Sequence, residues 1–489
     1  MRRKLVAGIA TATLLLGRSG IASAAGVEQN TRAADAVFAD LQKPGSPGCA
    51  MAVFRDGKIV YAKGYGLANL EEHVAIKPSS VFDIGSTSKQ FTAASILLLE
   101  RQGRLSVSDD VRKYIPELPD YGKKITILHL LNHTSGLRDY LTLMELAGTN
   151  TDSVTTDEDA LGIINRQKAL NFDPGSEWLY SNTGFFLLSI IVKRVSGQSL
   201  REFAAANIFS PLRMNHTEYR DDHTSLVENR ALAYEPAEHG RGFRLDVSYF
   251  EQTGDGAVHT SVEDLQKWDE NFYSGTVGGT AFLSEMQKPG KLNNGKALNY
   301  AKGLFMEDYR GLPAVRHGGS WGGYRAELLR FPRQHFSVAC LCNVGNANPE
   351  DRAERVAEVF LGSLMKPKPA GKRETETEPK HKPEIAPAEE QLKAYAGEYF
   401  SEELAAVYRL EMKDGKLRLT VQAGPGHFVR LTSDAKDYLR PTAPDELELA
   451  ESGVTIHFKR NAGGDPAGFT LDAGRTKGVV FDRVWPGKL

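Results

Sequence analysis

An α/β domain whose first and last strands share one sheet, followed by a small all-β barrel, is the fold this sequence predicts. Three observations predict it. Strand patterns stand at both ends of the segment from residue 30 to 365, with helical patterns between them. Composition then turns to Pro, Lys and Glu between Lys366 and Glu390, the mark of an extended linker. Beyond it, in residues 391–489, short alternating strands recur, as in a small closed barrel.

The 489 residues carry 60 Lys and Arg against 62 Asp and Glu, a formal charge of −2. That balance excludes a nucleic-acid surface and a polybasic membrane patch. Residues 1–24 read as a signal peptide. Met1-Arg2-Arg3-Lys4 is basic, Leu5 to Leu16 is apolar, and Ala22-Ser23-Ala24 is a cleavage site. The apolar core is too short to span a bilayer, and no later run does so. Ala25, not a cysteine, stands directly after Ala24, so no lipid anchor is expected there. The expectation is an exported protein, periplasmic or secreted, with no stable membrane anchor.

Three cysteines do not make a disulfide scaffold. Cys340 and Cys342 share one face of a predicted strand and do not pair with each other. Cys49 meets one of them if the first and last strands are neighbours; three buried thiols is the alternative.

The chain opens with a hairpin. Met51 to Arg55 and Lys58 to Tyr61 flank Asp56-Gly57, a two-residue turn signal. Next comes Phe82-Asp83-Ile84-Gly85-Ser86-Thr87-Ser88-Lys89, leading into an apolar helical run closed by Gly103. Gly85 permits a sharp turn. Ser86 opens the helix, and Lys89 three residues on shares its face. A helix N-terminus and burial both push an amine toward its neutral form, which accepts the serine proton. Ser86 is therefore a candidate nucleophile and Lys89 its base. The signal alone is weak, because about two Ser-x-x-Lys matches are expected by chance. The second, Ser363 to Lys366, runs into the proline-rich segment and is read as chance.

A loop with prolines at 116 and 119 precedes a short helix from Ile125 to Leu131. His129 and His133 on it have a zinc-ligand spacing, but Leu130 stands where a zinc protease needs its glutamate. They read as packing and capping residues, and no metal or other cofactor is expected. Residues 140 to 170 are polar and acidic, either a mobile cap over a site or a solvated helical insert. Tyr180-Ser181-Asn182 leads a second buried helix, Gly184 to Val195. Gly254-Asp255-Gly256-Ala257 precedes a capped helix start at His259 to Leu265. Val315 to Ser320 is a strand whose Gly318 and Gly319 admit a ligand backbone. Strands from Ala326 to Phe331 and Ser337 to Asn343 follow, then a helix from Arg352 to Leu364.

Ser86-x-x-Lys89, Tyr180-x-Asn182 and His317-x-Gly319, in that order, resemble the penicillin-recognising serine hydrolases. That superfamily contains class C β-lactamases, D,D-peptidases, D-aminopeptidases and esterases. Leu-Leu-Asn-His-Thr-Ser-Gly-Leu at 130–137 and Pro-Gly-Ser at 174–176 also look like it. The resemblance implies a serine β-lactamase-like domain, an antiparallel sheet flanked by helices plus an all-helical region, and a lipocalin-like barrel after it. It implies that Ser86 is acylated, that Lys89 and Tyr180 share the base work, and that Asn182 orients Lys89 and meets the substrate amide. Backbone N–H groups of Ser86 and Ser320 form the oxyanion hole, with Gly319 and His317 beside it on the substrate strand. Histidine stands at 317 where classical β-lactamases carry lysine. This favours an esterase or peptidase over a β-lactamase, because neutral imidazole does not fix a carboxylate. The implied partner is a small-molecule or short-peptide substrate, with peptidoglycan-derived peptides among the candidates. A β-lactamase or D,D-carboxypeptidase, and an inactive binding or scaffold homologue, are the alternatives.

Overall fold

The computed structural model of the chain describes residues 24–484 apart from 151, 238–239, 241, 369–381, 386–388, 425–426, 430, 432–437 and 451. The expected leader lies outside these residues except for its last position, as does most of the expected linker.

Six antiparallel strands form the central sheet: β1 (Cys49–Arg55), β2 (Lys58–Tyr65), β3 (Phe305–Tyr309), β4 (Leu312–Trp321), β5 (Tyr324–Phe331) and β6 (Phe336–Cys342). Their order is β3-β4-β5-β6-β1-β2. The first and last strands are neighbours, with Cys49 opposite Cys342. These two cysteines form a disulfide, and Cys340 is a free thiol. β1 is apolar from Cys49 to Phe54 because both faces of the sheet are covered. Ala50, Ala52 and Phe54 join the core under the helical region. Cys49, Met51 and Val53 join a second core against the helices Ala24–Ala36 and Pro349–Leu361. The β1–β2 turn has positive φ at both Asp56 and Gly57, the conformation an Asp-Gly hairpin needs.

Two helices dominate the other layer. Lys89–Arg101 and Asn182–Ser196 pack against each other, and Phe91, Ile96, Phe185 and Leu188 join the same core. Gly103 (φ +70°) and Gly197 (φ +77°) follow them in the left-handed conformation that closes a helix. Residues 140 to 170 carry helices, as the insert reading expects, but with buried inner faces rather than full solvation. They hold the helices Tyr140–Leu146 and Asp157–Asn165, capped by Asp139 and Thr156. Tyr140, Leu143, Ile163 and Ile164 bury their inner faces.

The barrel has eight strands: β7 (Gly397–Ser401), β8 (Ala406–Lys413), β9 (Lys416–Gly424), β10 (Tyr438–Ala443), β11 (Glu446–Leu449), β12 (Val454–Arg460), β13 (Pro466–Ala473) and β14 (Thr476–Val484). Pairing runs β8-β7-β14-β13-β12-β11-β10-β9, and a β8–β9 ladder closes the ring. Tyr408, Leu419, Ile456, Phe469 and Phe481 fill it. The barrel is docked onto the helical region by one buried cation. Arg138 donates to Glu403 (2.6 Å), to Gln167 and to the carbonyls of Lys477 and Gly478. The Arg138 and Glu403 side chains are only 1% and 2% exposed.

Candidate active site

Ser86 does not open an α-helix. Gly85–Ser88 is a turn of 3₁₀-helix, and the α-helix begins at Lys89. A 3₁₀ turn has three residues per turn, so residues three apart eclipse each other. This places Lys89 directly over Ser86, with Nζ 3.0 Å from Oγ. The Lys89 side chain is fully buried. Its Nζ also donates to Asn182 Oδ1 (2.9 Å) and to the Asp255 carbonyl (2.6 Å). Those two acceptors are obligatory, because carbonyl oxygens cannot donate. The third direction on the nitrogen therefore belongs to the Ser86 hydroxyl. An ammonium donates along it; a neutral amine presents its lone pair there and accepts the serine proton. Burial pushes Lys89 toward the neutral amine, and the negative charges of Asp255 and Asp139 oppose this.

Asn182 opens the second helix, and its N–H donates to Asp139 Oδ2 (2.6 Å). The same carboxylate caps the helix Tyr140–Leu146. With Oδ1 on Lys89, the Asn182 amide group keeps its N–H donors for the cavity. Tyr180 lies two residues upstream. Lys89 Nζ sits 4.9 Å from its ring centroid and Arg475 Cζ 4.6 Å. The Tyr180 hydroxyl is buried and makes no hydrogen bond of normal geometry. Burial raises its pKa well above the usual phenol range, while the adjacent Ser86 hydroxyl and Arg475 work the other way. An unpaired buried hydroxyl beside a serine is an unmet polar demand that a substrate atom fills.

β4 supplies the facing wall. β3 pairs with it only as far as Arg316, so no described strand covers its outer edge from His317 to Trp321. Two glycines allow β4 to run against the serine turn. A Cβ on Gly319 would lie 1.9 Å from the Ile84 carbonyl oxygen, and one on Gly85 2.7 Å from the Ser320 nitrogen. The Ser320 N–H thus borders the turn that carries Ser86.

His317 lines the same cavity, but the protein occupies both ring nitrogens. Nδ1 is 2.6 Å from the Gly318 carbonyl, which can only accept, so Nδ1 carries the proton. Nε2 is then the acceptor for the Tyr300 hydroxyl at 3.2 Å. Burial, with the Lys89 charge assisting, drives its pKa down to about 3, so the ring is neutral. Substrate recognition through protonation of His317 is not what this geometry offers; the ring braces the aromatic cluster behind Tyr180.

The cavity measures about 1170 Å³ and is lined by Ser86, Tyr180, Asn182, His317, Ser320 and Arg475, among others. Three neighbours of the Ser86, Lys89, Tyr180 and Asn182 quartet were given no place at the site by the sequence reading. Asp255 carried one available signal, a lone acid between Gly254 and Gly256. Gly254 (φ +103°) approaches the Phe185 carbonyl so closely that a Cβ would lie 2.4 Å from its oxygen. His133 accepts the Ser181 N–H and stacks 4.2 Å from the Tyr180 ring, so it packs as expected but directly behind the site. Arg475 had no local signal at all. His129 caps its own helix. Among the described residues, ligand-type side chains cluster at Cys49, Cys340 and Cys342 and at Asp222, His223 and Glu251, neither within the quartet.

The family model described as Beta-lactamase matches residues 33–362. The chain belongs to the β-lactamase family of serine hydrolases. A penicillin-binding protein of Bacillus subtilis is 33% identical over 309 residues, 59% of this chain and 66% of its own length. A D-aminopeptidase of Brucella anthropi is 30% identical over 317 residues, 65% of this chain and 59% of its own length. The chain thus spans less than two thirds of the length of these relatives. The fold resembles that of an octameric penicillin-binding protein homologue from Pyrococcus abyssi, with a TM-score of 0.61 at 24% identity. That match covers 93% of this chain and all of the other. It also resembles a D-amino acid amidase from Ochrobactrum anthropi, with a TM-score of 0.57 at 21% identity over 69% and 99% of the two chains.

Proposed function

We propose that this chain is an exported hydrolase that cleaves an amide or ester through an acyl-enzyme on Ser86. The observation that carries the reading is the Lys89 nitrogen, whose two obligatory carbonyl acceptors leave its third direction to Ser86 Oγ. Ser86 Oγ attacks the substrate carbonyl and its proton passes to the Lys89–Tyr180 pair. Amine and phenol exchange that proton and act as one coupled base. The carbonyl oxygen becomes an oxyanion held by the N–H groups of Ser86 and Ser320. The protonated pair then returns its proton to the leaving amine or alcohol, and water enters to release the acyl group by the reverse route.

The relatives named penicillin-binding protein and D-aminopeptidase support an amide substrate. Neutral His317 means that β4 itself offers no fixed cation at that position. Export is supported by the leader pattern and by the Cys49–Cys342 disulfide, a bond that persists in oxidising compartments. No described helix is long and apolar enough to cross a membrane. Domain boundaries at 30–365 and 391–489 are part of the proposal.

A fluorophosphonate probe tests the reading. Intact-mass analysis is expected to find one adduct on Ser86, absent from Ser86→Ala. Equal labelling of the folded Ser86→Ala chain, or none of the wild type, overturns it.

A further inference from the structure

Arg475 sits in the two-residue turn Gly474-Arg475 that joins β13 to β14, where Ala473 pairs with Thr476. Gly474 takes the positive φ that such a turn demands. The tip leaves the barrel and enters the catalytic cavity, bringing the guanidinium over the face of Tyr180. Its backbone is clamped. The Arg475 carbonyl accepts from Asn171 Nδ2, and Arg138 donates to the carbonyls of the next two residues but one, Lys477 and Gly478.

The side chain, by contrast, has no ion-pair or hydrogen-bond partner among the described residues. Several carboxylates that line the cavity or lie beside it are engaged elsewhere. Asp139 holds the Asn182 N–H and caps a helix, and Asp255 accepts from Tyr140. Glu307, Glu327 and Glu350 all turn to Arg316. Lys89 adds a second basic group on the same tyrosine ring. A guanidinium over a ring face uses its π surface and leaves its N–H edge for a planar anion. It also repels a cation placed beside it.

Resting on the serine-hydrolase reading, we propose that Arg475 is a specificity residue that docks a carboxylate on the substrate near its scissile bond. The preferred substrates are then amides or esters that carry a negative charge there. A free α-ammonium is disfavoured, because it would meet the Arg475 cation. The barrel thereby selects the substrate that the other domain cleaves.

Three phosphonofluoridates on one five-carbon chain, ending in carboxylate, methyl or ammonium, test this on the full chain. In each, phosphorus bonds to Ser86 Oγ, the P–F bond breaks, fluoride leaves, and the serine proton passes to the Lys89–Tyr180 pair. Second-order labelling rates are read by intact mass. The carboxylate probe is expected to label wild type about tenfold faster than the methyl probe, the scale of a hydrogen bond to a charged group. Arg475→Lys is expected to keep part of that ratio, Arg475→Ala to bring it near one, and Arg475→Glu to make the ammonium probe fastest. Because each variant is judged by a ratio of its own rates, a general loss of reactivity does not imitate the effect. A wild-type ratio near one, or a ratio unchanged in Arg475→Glu, overturns the inference while leaving the hydrolase reading intact. No labelling by any probe overturns the hydrolase reading and this inference with it.

Discussion

Replacing Arg138 with methionine removes the cation that docks the barrel. Four acceptors lose a donor: Gln167, Glu403 and the carbonyls of Lys477 and Gly478. The main cost falls on Glu403, which stays buried and charged with only the backbone N–H groups of Lys168 and Val480 left to it. Removing one partner of a buried pair costs about 3–5 kcal/mol, and the two remaining N–H donors place this case near 3. Helical region and barrel share one apolar core, so the loss is expected in one unfolding transition of the chain. Urea titration followed by circular dichroism measures it. The double variant Arg138→Met with Glu403→Met removes the stranded charge and is expected to recover most of the loss. A single-variant loss below about 1 kcal/mol would refute the reasoning, since that is the worth of an exposed pair. So would a double variant weaker than the sum of the singles.

Tyr180→Phe is expected to lower the rate of Ser86 labelling at least about a hundredfold, the scale of a lost acid–base group; a near-normal rate would leave Lys89 as sole base. Asp255→Asn keeps an acceptor for Tyr140 and removes a charge that favours the Lys89 ammonium. Lys89 is a base only when neutral, so labelling rises with pH through its titration. Removing the acid lets the proton leave at lower pH, and the rising limb is expected to move down by about one pH unit. A limb that stays put or moves up refutes the assignment. Cys49→Ala opens the link between β1 and β6, and a loss of about 2–4 kcal/mol in urea unfolding is expected; an unchanged midpoint in oxidised protein would show that the bond does not form.

The sheet, the barrel and the Ser86, Lys89, Tyr180 and Asn182 quartet were legible because each rests on short-range rules. Asp56-Gly57 and Asp414-Gly415 set their hairpins by turn chemistry alone, and both pairs have positive φ. The start of the first helix was misplaced because a 3₁₀ turn and an α turn share capping residues and apolar spacing. The helices in residues 140–170 were left without bounds or buried faces because each is short and polar outside, with only a few inward residues such as Leu143 and Ile163. The missed site residues share another cause. Asp255 and Arg475 act on groups far away in sequence, and only the packing of the second helix and the docking of the barrel bring them there. His317 was read from its residue type, and its partner Tyr300 lies on a segment with no pattern to announce it.

Arg475 and the acceptors of Arg138 have a consequence for the order of events during synthesis. The quartet and the whole of β4 precede the barrel in the chain, so Ser86 and its base emerge first. Glu403, Lys477 and Gly478 emerge later, and β14 must close the ring before the Gly474-Arg475 turn is held in place. Until that moment the nucleophile faces an open cavity without its selecting cation. Reactivity is thus installed early and discrimination late, so a nascent or clipped chain would be the less choosy form.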